Sequence, residues 1–212
     1  MSLKKTSLII LGVLLIDQIS KIYIKTHFQL QDDVEVFSWF KIIFVENSGM
    51  AWGTKLSDIF SFINDNTAKL VLTLFRIAAV TAIGFWLYDV IKKQRSKTLI
   101  FAIALIFAGA LGNIIDSVFY GVLFGDSYGQ VATFLPEGGG YGKLFHGKVV
   151  DMLHFPIWSG VLPSWVPFYG GKAFTFFEPV FNVADMAIST GIGVLIFFNK
   201  KAFGTKNAEA ED

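Results

Sequence analysis

The stretch Thr98–Phe124 reads TLIFAIALIFAGALGNIIDSVFYGVLF and carries one charged residue, Asp116. A helix that crosses a bilayer needs about 20 mostly apolar residues. This stretch is longer than that and is apolar on every face, so it predicts a membrane span rather than the core helix of a small soluble domain. Three further windows qualify: Thr6–Ile24, Leu70–Ile91 and Asn182–Phe198. Four greasy helices with aromatic connections predict an all-α membrane protein with four transmembrane helices.

Composition agrees. The chain has 212 residues, of which 53% are hydrophobic and 17% charged, against about 25% charged in an ordinary soluble domain. Disorder is excluded, because too few polar groups exist to keep the chain solvated. The absence of cysteine excludes zinc fingers, disulfide scaffolds and cysteine catalysis. A net charge of +1 argues against nucleic acid as a partner. The first window has the basic start of a signal peptide (Lys4, Lys5). It runs on into Asp17, Gln18, Ser20 and Lys21 with no small-residue cleavage site, and reads as a retained helix.

Orientation follows from the basic residues at the helix ends. Lys4, Lys5, Lys92, Lys93, Arg95, Lys97, Lys200, Lys201 and Lys206 gather on one side. Both termini are therefore expected to be cytoplasmic. The expected organisation is one domain over 1–206, with outer loops 25–69 and 125–181 and a disordered tail at 207–212. Within the first loop, Gln29–Val45 favours strands and predicts a small sheet on the membrane surface. In the second, Gly138–Gly142 reads as a flexible hinge. Pro156, Pro163 and Pro167, with Trp158, Trp165 and Phe168, read as an irregular loop that dips into the interface.

Charges inside spans are costly and mark function by default. At about 1.5 Å per helical residue, Asp116 lies roughly 28 Å from Lys97, Asp185 roughly 22 Å from Lys200, and Asp17 roughly 18 Å from Lys5. Three helices thus bring acids to one level, which predicts one shared site. Gly109, Gly112, Asn113 and Asp116 share a helix face, as do Asn182, Asp185 and Ser189. Small residues let a second helix approach. Asp17 and Lys21 form an i,i+4 pair whose simplest reading is an ion pair that pins the first helix. Arg76 reads as a snorkelling headgroup contact. Asp151, in GKVVDML, reads as lying on a short apolar segment. Neighbouring carboxylates share a proton, so one can activate water while the other polarises a carbonyl. His27, His146 and His154 show no metal-ligand spacing, and no phosphate loop is present.

Five segments in order now resemble the lipoprotein signal peptidases, the type II signal peptidases of bacteria. Asp17–Lys21 (DQISK) resembles the family's D-Q-x-[ST]-K box. Glu46–Gly53 (ENSGMAWG) resembles N-x-G-x-A-[FW]-G, and Gly109–Asp116 (GALGNIID) resembles G-x-x-G-N-x-x-D-R. Val149–Asp151 resembles V-V-D, and Phe181–Asp185 (FNVAD) resembles F-N-x-A-D. The resemblance implies a fold of four spanning helices with an extracytoplasmic β-cradle, in the bacterial inner membrane, with the active site toward the outer leaflet. It implies an aspartic endopeptidase that removes the signal peptide of a diacylglyceryl-modified prolipoprotein just before the lipidated cysteine, with no metal or cofactor. The implied dyad is Asp151 and Asp185, with Asp116 the rival for a dyad place. Asp17, Lys21, Asn47, Gly49, Ala51, Gly112, Asn113, Asp116, Asn182 and Ala184 would bind substrate or organise the site. The expected partners are the lipidated prolipoprotein and membrane phospholipid, and the chain is expected to act as a monomer.

Two departures stand out. The box arginine that should follow Asp116 is Ser117, so an organising charge is expected from Lys21 or Lys148 instead, or is missing. The gaps around Asp151 are long, which predicts an added flap from 125–148 and 154–179. Two other classes compete. One is a proton-coupled transporter using Asp17, Lys21, Asp116 and Asp185, against which stands the lack of an inverted repeat. The other is a non-catalytic lipid-binding protein, which would not need several acids at one depth.

Overall fold

The computed structural model describes residues 1–49 and 63–204. The expected tail at 207–212 and the box residue Ala51 lie outside the described residues.

Helix α1 spans Leu3–His27, α2 spans Asp65–Lys92, and α3 spans Lys97–Ile115. Each starts where a side chain satisfies free backbone N–H groups. Ser2 accepts from Lys5, Asn64 from Thr67, and Ser96 from Leu99. Helix α3 does not stop at Ile115. It continues through a π-helical turn at Asp116–Tyr120 and a last α turn at Gly121–Leu123. These three helices are long and apolar enough to cross a membrane. The fourth expected window yields a shorter helix, α4, at Val183–Phe197, 15 residues long. At 1.5 Å per residue it is roughly 22 Å long. A further turn, α5 at Asn199–Phe203, follows directly.

Helix α3 sits centrally and buries Ile100, Ala102, Ile103, Ala104 and Ala108. Helices α1 and α2 turn Leu8, Leu11, Leu15, Ile19, Phe75 and Phe85 outward, as expected where the solvent is lipid. Helix α4 crosses α3 closely because glycine removes side chains at the contact. A methyl built on Gly109 would sit 2.2 Å from the Ala184 carbonyl, and one on Gly191 would sit 2.6 Å from the Ala102 carbonyl.

The connections hold more sheet than the sequence suggests. Strands β1 (Asp33–Phe37), β2 (Phe40–Asn47), β3 (Val149–His154) and β6 (Val180–Phe181) form an antiparallel sheet in the order β1-β2-β3-β6. One face packs on α1 and on the end of α3 through Ile24, Phe44, Tyr120, Phe124, Val150 and Met152. The segment read as an irregular loop instead contains a second hairpin, β4 (Trp158–Val161) paired with β5 (Ala173–Phe176). Its prolines fall outside the paired residues, where a missing N–H costs no ladder bond. The glycine stretch is not open throughout. The Gly142 N–H donates to the Gly121 carbonyl at 2.8 Å, and a methyl on Gly140 would meet that same carbonyl at 2.1 Å. Gly138 and Gly139 have open space around them. Half of the expected hinge is therefore a close-packed seam against the end of α3.

Candidate active site

The polar residues of α1, α3, α4, β2 and β3 meet where the sheet closes the helix bundle. The buried side begins on α1. Lys21 is fully buried, and its three ammonium protons have three acceptors. They are Asp17 Oδ2 at 2.9 Å, Asp116 Oδ2 at 2.8 Å and Asn113 Oδ1 at 2.8 Å. Asp17 Oδ1 accepts the Ala184 N–H at 2.9 Å, which satisfies a free donor in the first turn of α4. Gln18 Nε2 donates to Asp116 Oδ1 at 2.9 Å, and the Val150 N–H donates to Asp116 Oδ2 at 3.3 Å. One lysine thus ties α1 to α3, and its two acids tie both helices to α4 and β3. Lys21 does more than the expected intrahelical pair, because Asp116 and Asn113 belong to another helix.

Asp151 and Asp185 lie on the other side of this cluster. Asn182 is the N-cap of α4, and it forms a capping box with Asp185. The Asp185 N–H donates to Asn182 Oδ1 at 3.0 Å, and the Asn182 N–H donates back to Asp185 Oδ2 at 3.3 Å. The Asn182 amide donates to Asp151 Oδ1 at 2.7 Å and lies 3.2 Å from Asn113 Oδ1. Asn113 Nδ2 donates to Asp185 Oδ1 at 2.8 Å. The sheet places Asp151 opposite Val45 and Asn47 opposite Val149, so Asn47 reaches Asp151 diagonally, with Nδ2 at 3.5 Å from Oδ2. Asn47 Oδ1 also accepts the Gly49 N–H at 3.0 Å. The two acids are therefore bracketed by neutral amides. Among the described residues neither is salt-bridged.

Burial, and next to it the charge of Asp185, pushes the Asp151 carboxyl up to about 7. Glu46 on β2 behaves oppositely. Burial works to raise it, but Lys25 and Lys148 overcome that and hold it below its usual range. Lys148 Nζ is 2.8 Å from Glu46 Oε2, and Lys25 pairs with Glu46 Oε1. Lys148 is thus engaged with Glu46, and Lys21 with Asp17 and Asp116. A third cation reaches the cluster from α2. Arg76 donates from one guanidinium nitrogen to the Gly49 carbonyl at 3.0 Å, and another nitrogen lies 3.4 Å from Ser117 Oγ. It is a site residue and not the headgroup contact the sequence suggested. The signal was there: Lys69, Thr73 and Arg76 recur at i, i+4, i+7, one face of α2.

Gly112 belongs to the same cluster, since a methyl there would lie 2.7 Å from Asp17 Oδ2 and 3.3 Å from the Ala184 Cβ. Every described residue among the expected site positions is thus brought into one connected network. Among the described residues no group of three or more His, Cys, Asp or Glu side chains is placed to hold a metal ion.

Known proteins resemble this chain along most of its length. A relative from Porphyromonas gingivalis, called lipoprotein signal peptidase, is 48% identical over 197 residues, covering 91% of this chain and 81% of the relative. One of the same name from Amoebophilus asiaticus is 37% identical over 199 residues, covering 92% and 76%. A solved structure described as a bacterial membrane enzyme obtained by the in meso method shares the fold, with a TM-score of 0.59 and 24% identity, over 93% of both chains. The family model described as signal peptidase (SPase) II matches residues 9–200, so the chain belongs to the signal peptidase II family.

Proposed function

We propose that this chain cleaves lipoprotein signal peptides with Asp151 and Asp185 as a catalytic aspartate dyad. Family membership supplies the reaction class, a membrane protease of lipoprotein processing. It disfavours the transporter and the passive lipid binder. One observation carries the dyad: two adjacent acids share Asn182 as a donor and make no salt bridge among the described residues, whereas Asp17 and Asp116 are spent on Lys21. Asp116 is therefore a supporting acid.

In the mechanism the pair holds one proton. Raised toward neutrality, Asp151 keeps it and donates it to the scissile carbonyl oxygen. Asp185 takes a proton from a water, whose oxygen attacks the carbonyl carbon. Collapse of the tetrahedral intermediate then returns a proton to the leaving amine. Asn113 and Asn182 hold the acids in place without adding charge, and Asn47 and Gly49 line the approach to Asp151.

The substrate is a prolipoprotein whose cysteine already carries diacylglycerol. Four spans, with α4 and α5 completing the fourth, put both termini on the cytoplasmic side of the inner membrane. The dyad then lies toward the outer leaflet, where the lipid chains of the substrate hold the scissile bond. Phospholipid surrounds the exposed apolar faces of α1 and α2, and the unit is a monomer. The test is cleavage of a diacylglyceryl peptide by the purified chain and by Asp151→Asn and Asp185→Asn. Turnover near wild type in either variant rejects the dyad and makes Asp116→Asn the next assay.

A further inference from the structure

We propose that Arg76 is a positioning residue of the catalytic centre: its guanidinium holds the Gly49 carbonyl against the end of α3 and adds positive charge on the side of the site that faces the dyad. This rests on the reading of Asp151 and Asp185 as the dyad.

The partners of Arg76 are unusual for its surroundings. Its hydrogen bonds go to two neutral acceptors, the Gly49 carbonyl at 3.0 Å and Ser117 Oγ at 3.4 Å. Among the described residues it makes no salt bridge. A guanidinium inside a spanning helix without a carboxylate partner is expensive, and here its charge faces Asp185, Asp151 and Asp116 at longer range. Such an arrangement costs stability unless the site needs the field and the fork.

The fork has a clear task. Gly49 follows Asn47, whose amide reaches Asp151 and whose carbonyl oxygen accepts the Gly49 N–H. Pinning the Gly49 carbonyl therefore fixes the turn that aims Asn47. Ser117, fully buried in the π-helical turn, donates its own hydrogen to the Asn113 carbonyl at 2.9 Å. The same guanidinium thus joins the turns that carry Asn47 and Asn113, two of the three amides that bracket the acids.

The field has a task because the cations of α1 and of the sheet are shared with other acids. On α1, Lys21 is divided between Asp17 and Asp116. Ahead of β3, Lys148 is held by Glu46 of β2, which Lys25 also engages. On α2, the Lys69 ammonium is buried and reaches no acceptor among the described residues. Arg76, uncommitted to a carboxylate among the described residues, carries a charge on which Asp185 and Asp151 both act, and on Asp151 it adds to the field of Lys21. The box matched by Gly109–Asp116 ends in arginine where this chain has Ser117. Arg76 returns a guanidinium to that spot from a neighbouring helix.

Removing a cation near two acids favours their protonated forms. In Arg76→Gln the dyad should need a higher pH to lose its first proton. Both limbs of the pH profile of kcat should move up by about one unit, as for loss of a nearby opposite charge, and kcat at pH 7 should fall at least about tenfold. Arg76→Lys keeps the charge and loses the fork, so its limbs should stay put while kcat drops. The double variant R76Q/S117R restores a guanidinium from α3 and should bring back both the limbs and most of kcat. All variants are assayed as the full chain in lipid, on a diacylglyceryl peptide. Unshifted limbs in Arg76→Gln, with only a lower Tm, would overturn the proposal and leave Arg76 a packing residue. If Arg76→Gln does not accumulate, R76Q/S117R decides: active protein with wild-type limbs supports relocation, and no recovery rejects it. Failure of the dyad reading is seen separately, as activity in Asp151→Asn or Asp185→Asn.

Discussion

Asp17 and Asp116 lie beside Asp151 and Asp185, yet the two pairs are held in opposite ways. The first pair is fully buried and shares the ammonium of Lys21. The second pair is held by the amides of Asn113, Asn182 and Asn47. A salt-bridged acid is fixed in place by its cation, which suits a brace. An acid held by neutral donors beside a second acid can keep or release a proton, which suits proton transfer. The partner and not the residue type separates the brace from the proposed dyad.

The largest expected effect comes from neutralising the second pair. Asp151→Asn or Asp185→Asn removes a proton-transfer group, so the rate should fall about 10²–10⁴-fold, or roughly 3–5 kcal/mol of barrier lowering. The folded protein should persist, because asparagine still fits donors and acceptors of this kind. Cleavage rate and Tm are measured together. A variant that unfolds, rather than one that folds without activity, would make this pair a brace too.

Breaking the first pair should reverse that pattern. Lys21→Met leaves Asp17 and Asp116 buried without their cation, which typically costs about 3–5 kcal/mol. The expected readout is a large drop in Tm and in yield of extracted protein. Lys21→Met combined with Asp116→Asn should recover part of the loss, since one uncompensated charge is gone. No recovery would mean that Lys21 acts through packing alone.

Much of this contrast was legible in the sequence, because helical spacing is a strong signal. Asp17 with Lys21, and Asn113 with Asp116, follow from i, i+4 and i, i+3 repeats, and rise per residue put them at one level. What spacing cannot give is pairing between elements. Lys21 reads as the partner of Asp17, but two of its three acceptors sit on α3. Arg76 was missed for the same reason, since both of its acceptors are distant in sequence and one is a backbone carbonyl. Strands β1 and β2 were legible from β-branched and aromatic residues. The β4–β5 hairpin was not, because its prolines and glycines mask two strands of only four residues each. Glycine misled once more at Gly140, where it serves close approach and not freedom.

The acidity of Asp151 sharpens the comparison by pH. Its carboxyl sits at about 7 in the folded chain against an ordinary value of 3.8. The folded state therefore binds this proton more tightly than the unfolded state does. The stability it contributes is complete below about 4 and is lost as pH rises through about 7. Asp151→Asn cannot lose that proton, so its Tm relative to wild type should climb from pH 4 to pH 8. Wild-type turnover should decline above about pH 7, as the pair gives up its shared proton. A Tm difference that is flat with pH would mean Asp151 is already ionised in the folded chain.

The smallest expected effects separate the brace from its packing. Gly109 and Gly112 both lie where α3 meets α4, but a methyl on each would meet different atoms. At Gly109 it would sit 2.2 Å from the Ala184 carbonyl, a backbone atom, so the helices themselves must part. At Gly112 it would sit 2.7 Å from Asp17 Oδ2, a side-chain atom that can rotate away. Rotation there has its own consequence, because Asp17 binds Lys21 and caps the Ala184 N–H. Overpacking of this size costs about 1–3 kcal/mol, with Gly109→Ala at the upper end and Gly112→Ala at the lower. Gly138→Ala, with nothing within 4 Å, should change stability by less than about 0.5 kcal/mol. Thermal unfolding of the three variants in one detergent gives the order. Equal losses at Gly109 and Gly112 would mean that Asp17 is as rigid as backbone, and that the ion pair on α1 is locked by packing before Lys21 contributes.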